Sequence, residues 1–81
     1  INFVPSRHML FTRHRDMPGI IGQIGSLLGK YNVNIASMQV GRRIVRGEAV
    51  MVLSIDDPIP SELLGLILSM QGINEAHSVT L

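Results

Sequence analysis

There is no cysteine in these 81 residues, and no tryptophan. The first absence excludes disulfides, thiolate metal sites and a cysteine nucleophile, and fits a reducing, cytoplasmic setting. The second leaves only Phe3, Phe11 and Tyr31 as aromatics, so the core has to be built from Ile, Leu, Val and Met. An excess of one charge is lacking too. Seven Lys and Arg stand against six Asp and Glu, a net +1, which gives no long-range attraction to nucleic acid or an anionic membrane. No apolar run approaches the roughly 20 residues of a membrane span, and the N-terminus lacks the charged-then-apolar order of a signal peptide.

What is present is apolar: 46% of the residues. That composition and length predict one domain whose single core is only just adequate, so that pairing with a second copy or a parent protein would add stability. The chain starts at Ile1 without a Met and stops at Leu81 directly after an expected strand. Both features suggest a domain of a longer chain.

Residues 1–6, with Pro5, read as a leading segment or linker, and 7–81 as the domain. From His8 the pattern alternates and predicts a strand over 8–13, with His8, Leu10, Thr12 and His14 on one face and Met9, Phe11 and Arg13 on the other. Asp16 is placed to cap a helix over 18–30, with Pro18 in its first turn. Ile20, Ile21, Ile24, Leu27, Leu28 and Tyr31 give that helix an apolar stripe. Gly22, Gly25 and Gly29 fall on one ridge of it. Each interior Gly costs roughly 0.5–1 kcal/mol relative to Ala, so the ridge either admits a close neighbour or is simply tolerated. Asn32 can take the left-handed conformation that ends the helix. A second strand over 33–41 puts Val33, Ile35, Ser37 and Gln39 on one face. A turn with Arg42, Arg43 and Arg46 comes next, read as a solvated hairpin tip, and then a third strand over 48–55. Asp56 to Pro60 is a turn, 61–70 a second helix closed at Gly72, and 73–80 a fourth strand with Ile73, Val79 and Leu81 on one face and Ala76 on the other. The order β-α-β-β-α-β with right-handed crossovers predicts an α+β, ferredoxin-like sandwich. Its antiparallel four-stranded sheet carries both helices on one face and has strand 2 at an edge.

Catalysis finds little support. His8 and His14 share a face but lie about 20 Å apart along the strand, and His14 with Asp16 lacks a third metal ligand. No nucleophile-elbow, phosphate-loop or dinucleotide spacing occurs. Asp56 and Asp57 are a carboxylate pair on a turn. A small zwitterion is a better match to the loop between strand 1 and helix 1. Asp16 offers an acceptor for an ammonium, His14 a donor or acceptor, Asn34 both kinds of group, and the N–H groups around Gly19 and Ile20 a seat for a carboxylate. His14 and Asp16 can equally well cap the helix and each other.

The loop HRDMPG followed by IIGQIGSLLGKYNVNIASMQVGR is similar to ACT domains. With INFVP, GEAVMVLSIDDPIP and QGINEAHSVTL, it resembles the C-terminal regulatory ACT domain of cyanobacterial-type D-3-phosphoglycerate dehydrogenases along essentially the whole chain. The resemblance implies an upstream NAD-dependent dehydrogenase of serine biosynthesis, with no cofactor and no catalytic residue in this domain. It also implies a second ACT domain paired side by side, and L-serine or another small amino acid as inhibitor at that junction. The matching positions are His14, Asp16 and Asn34. Asp16 stands where serine-inhibited relatives carry Asn; it can hold the ammonium but has no amide donor for the carboxylate. Two other assignments remain open: the regulatory piece of an iron–sulfur L-serine dehydratase, and a pairing module without effector.

Overall fold

Alternation of buried and half-buried positions along the strand His8–Arg15 and most of the strand Glu48–Ile55 organises the sheet. The computed structural model describes residues 7–42 and 47–81; the leading segment 1–6 and the expected basic turn residues Arg43 and Arg46 lie outside them. The elements are β1 (His8–Arg15), α1 (Ile20–Lys30), β2 (Ile35–Arg42), β3 (Glu48–Ile55), α2 (Ser61–Leu68) and β4 (Ile73–Thr80). The strands are ordered β2-β3-β1-β4, all neighbours antiparallel. This is the ferredoxin-like α+β fold anticipated above, with both helices on one face and β2 at an edge.

On β1, Leu10, Thr12 and His14 are buried, and on β3 Ala49, Met51, Leu53 and Ile55. The register sets His14 opposite Ala49, Thr12 opposite Met51 and Leu10 opposite Leu53, so one face of the two central strands is a continuous buried floor, apolar except at Thr12 and His14. Ile20, Ile24 and Leu28 of α1 and Leu63 and Ile67 of α2 close it from above. Each such side chain contributes about 1.5–3 kcal/mol on burial. β2 has no buried residue at all, as befits an edge strand that the helices only partly roof.

Two bulges change the faces that strict alternation predicts. The β2–β3 register shifts between Ile35 and Ser37, so Ile35 joins Met38 and Val40 on the helix side instead of Ser37 and Gln39. Between Arg13 and His14 the β1–β4 register shifts as well, and His14 pairs with Ile73 while Thr12 pairs with Ala76. Ile73 therefore packs against the core beside Ala76 and not with Val79 and Leu81. An extra residue reverses the parity of a strand, and no periodicity shows that it is coming.

α1 begins at Ile20, not 18. Its N-cap is Gly19, in the left-handed region at φ 92°, and no side chain caps the helix; the expected Asp16 cap does not form. β1 simply runs two residues further than 13, which carries Asp16 away from the helix axis. At the other end Tyr31 is the C-cap and Asn32 adopts φ 59°, as expected. α2 ends at Leu68 rather than 70, and Gly72 takes φ 95° in the turn into β4. That turn is crowded. A Cβ on Gly72 would sit 2.6 Å from Ile20 Cδ1 and 3.2 Å from Met17 Sδ. The glycine ridge is the reverse case: a Cβ on Gly22, Gly25 or Gly29 would meet nothing within 4 Å, so among the described residues no element uses the ridge for close approach.

Candidate functional site

The loop after β1 is tied down from two sides. Arg15 N–H donates to the Gly72 carbonyl at 2.8 Å, and Asp16 N–H donates to the Gly47 carbonyl at 2.8 Å. The first bond fastens it to the turn before β4, the second to the β2–β3 hairpin. A loop held to two sheet edges is a rigid platform for polar side chains.

His14 is 2% exposed and lies on the helix side of β1. Its Nδ1 is 2.8 Å from the Arg15 carbonyl oxygen. A carbonyl only accepts, so Nδ1 carries the proton and Nε2 of the neutral ring is an acceptor. Nε2 is buried and has no partner among the described residues, and the same holds for Thr12 Oγ1. These two orphaned polar atoms belong to residues two apart on the same face of β1. Leaving them unpaired costs free energy unless a water or ligand atom satisfies them.

Asp16 is only 18% exposed in its side chain, and its Oδ2 lies 3.1 Å from Arg42 Nε, on a guanidinium 59% exposed. The expectation that His14 and Asp16 cap the helix and each other is thus replaced by a backbone bond for His14 and an ion pair for Asp16. Topology explains the pair. β1 and β2 are both antiparallel to β3, so they run in the same direction and finish at the same end of the sheet. Arg42 is level with Ala49, which is level with His14.

Asn34 stands elsewhere. It precedes β2, at the opposite end of the sheet, eight residues and about 25 Å from Arg42 at the rise of a strand. Its Nδ2 donates to Asp56 Oδ2 at 2.8 Å, and its carbonyl accepts from Asp56 N–H at 3.1 Å. A single chain therefore brings together His14, Asp16 and, adjoining them, Gly19, but not Asn34. Ile20 is 1% exposed, its side chain in the core, so only its backbone is available to a ligand. Gly19 also lines an open groove of about 570 Å³ with Gly22, Gln23, Ser26, Leu27 and Met70; His14, Asp16 and Asn34 do not line it.

Two residues here were not expected from the sequence: Arg42 as the partner of Asp16, and Asp56 as the partner of Asn34. Both looked like solvated turn charges. The signal that finds them is topological, because parallel β1 and β2 place the residue past one and the last residue of the other together. Among the described residues no group of three His, Asp or Glu is arranged to hold a metal, and no helix is long and apolar enough to cross a membrane.

Comparison with known proteins identifies the family. The family model described as "ACT domain" matches residues 8–72. A D-3-phosphoglycerate dehydrogenase of Synechocystis sp. is 65% identical over 81 residues, covering all of this chain and 15% of that protein. The Archaeoglobus fulgidus enzyme of the same name is 42% identical over all of this chain and 16% of its own length. That of Bacillus subtilis is 42% identical over 79% of this chain and 12% of its own. The chain thus spans about one-sixth or less of the curated relatives it matches.

Proposed function

The chain belongs to the ACT domain family, and from that premise we propose that it is the effector-binding and pairing unit, over 7–81, of a cytoplasmic NAD-dependent D-3-phosphoglycerate dehydrogenase of serine biosynthesis. L-serine, or a similarly small amino acid, is the effector. The partners are a second ACT domain and the upstream dehydrogenase portion of the same chain. The relatives named above are all dehydrogenases, which favours that parent over an L-serine dehydratase.

The observation that carries this reading is the position of Asn34. His14 and Asp16 lie at one end of the sheet and Asn34 at the other, yet all three belong to or flank strands β1 and β2. Antiparallel pairing of β2 with β2 of a second copy, about a two-fold axis near the strand centre, sets Ile35 of one copy opposite Arg42 of the other. Asn34 of the second copy then arrives beside Asp16 and Arg42 of the first, and two equivalent sites form across the seam. Support comes from what β2 leaves uncovered. Met38 and Val40 face the helix side, yet are 46% and 38% exposed. On α1, Leu27 and Gln23 turn toward Met70 at the groove, so Ile21, at 42% exposed, and Gly25 occupy the other flank. The apolar edge, with Ile21 and Gly25 on the flank away from the groove, suits a second helix–sheet layer laid alongside.

Titrating L-serine into the full-length dehydrogenase by calorimetry, before and after Asn34→Ala, tests the reading. Heat from binding that the substitution abolishes, with the oligomer intact, is the expected result. An intact oligomer with no binding up to millimolar L-serine removes the effector and leaves a pairing module.

A further inference from the structure

We infer that Arg42 grips the carboxylate of the amino-acid effector, as the cationic donor beside Asp16. This rests on the effector reading above and assigns the half of the ligand that reading leaves unplaced.

An amino acid needs acceptors around its ammonium and donors around its carboxylate. The site has acceptors in surplus. Asp16 only accepts. The Nδ1–H of His14 is already donated to the Arg15 carbonyl at 2.8 Å, which leaves Nε2 as an acceptor. The Asn34 amide donates one of its two N–H groups to Asp56 Oδ2 at 2.8 Å, which leaves one neutral donor. His14, Asp16 and Asn34 offer no charged donor, and Arg42 supplies one. Its guanidinium contacts Asp16 through Nε at 3.1 Å. Its terminal Nη1 and Nη2 make no hydrogen bond or ion pair among the described residues. The Arg42 side chain is 59% exposed against 18% for Asp16, so Arg42 is the more accessible member of the pair. Its planar fork matches a carboxylate in two parallel bonds, which an ammonium group cannot do.

The pair also explains how Asp16 is tolerated where an amide would be neutral. The Asp16 carboxylate and the Arg42 guanidinium set opposite charges side by side, which complements a zwitterion: acceptor for the ammonium, fork for the carboxylate. An amine without a carboxylate would leave the fork unfilled. The competing seat for the carboxylate is the first turn of α1, which no side chain caps. The two seats differ in whether Arg42 matters.

Calorimetry on the full-length protein with L-serine and with L-serinamide, which lacks the carboxylate, separates them. Arg42→Gln is expected to weaken L-serine by about 10- to 100-fold, the range for a charge-assisted bond, and to leave serinamide unchanged. Arg42→Lys keeps the charge without the fork and is expected to fall between, again for L-serine alone; it also serves should Arg42→Gln not fold. Equal loss for both ligands in the two variants makes Arg42 a structural residue and overturns the inference, as does L-serine binding unchanged in both. Those results leave the effector reading standing. Failure of the unaltered protein to bind either ligand overturns both.

Discussion

The turn before β4 and the open flank of α1 both carry glycine, for opposite reasons. Gly72 is at φ 95° with Ile20 Cδ1 within 2.6 Å of where its Cβ would be. The fold needs glycine there, both for the backbone angle and for the contact that seats the turn on the start of α1. The same turn supplies the carbonyl that receives Arg15 N–H, so the contact also places the loop bearing His14 and Asp16. Gly25, by contrast, has ordinary helical geometry and open space around it. Among the described residues nothing requires glycine there, and a helix is weakened by it. The difference separates a residue chosen by the fold of one chain from a residue whose use lies outside the chain.

Breaking the first half of the comparison should give the largest effect. Gly72→Ala is expected to destabilise the domain by about 2–3 kcal/mol, from strained backbone and overpacking together, measured as a shift of the urea midpoint. Adding Ile20→Val removes the opposing Cδ1, so the double variant should lose less than the sum of the two single ones. Strict additivity would show that the clash is not what matters there.

The second half predicts a smaller change of opposite sign. Gly25→Ala should raise the stability of the unpaired domain by up to about 1 kcal/mol and loosen its self-association in sedimentation experiments. Tighter association on Gly25→Ala would contradict a ridge reserved for close approach.

The smallest effect concerns the end of α1. The Tyr31 phenol is raised above its ordinary value, first by its removal from water and then by the neighbouring Glu62 carboxylate. The folded state therefore keeps that proton to higher pH than the unfolded chain does. Stability contributed by the neutral phenol is complete below the unfolded value near pH 10 and declines as pH rises through the higher folded value. Unfolding midpoints followed from pH 8 to 11 should fall less steeply in Tyr31→Phe; parallel curves would remove Tyr31 as the cause.

The legible parts of the fold are those where a local rule and the tertiary environment agree. β3 and β4 have the bounds that alternation predicts, because both end at glycine or acidic turns that nothing overrides. The stripe of α1 and the left-handed Asn32 are likewise local. Ile35 and Ile73 were misplaced because a bulge is a fact about two strands in register, not about one. Asp16 failed as a cap for a related reason. A capping residue is recognised by the few residues on its C-terminal side, whereas the partner of Asp16, Arg42, is 26 positions later and near only because β1 and β2 run in parallel. Of the candidate site, His14, Asp16 and Gly19 were named from residue type and loop position. Arg42 and Asp56 were not, since a charge on a turn looks the same in sequence whether it is solvated or paired.

By itself, then, the sequence determined the element order, the two amphipathic layers and the ACT-like loop between β1 and α1. These arise from periodicity, turn chemistry and motif, which act over a few residues. Only the tertiary structure decided that Asp16 is joined to Arg42, that Asn34 stands at the far end of the sheet, and that Gly72 is crowded while Gly25 is open. Those are relations between distant segments, fixed by strand direction and register, and no local pattern in the chain encodes them.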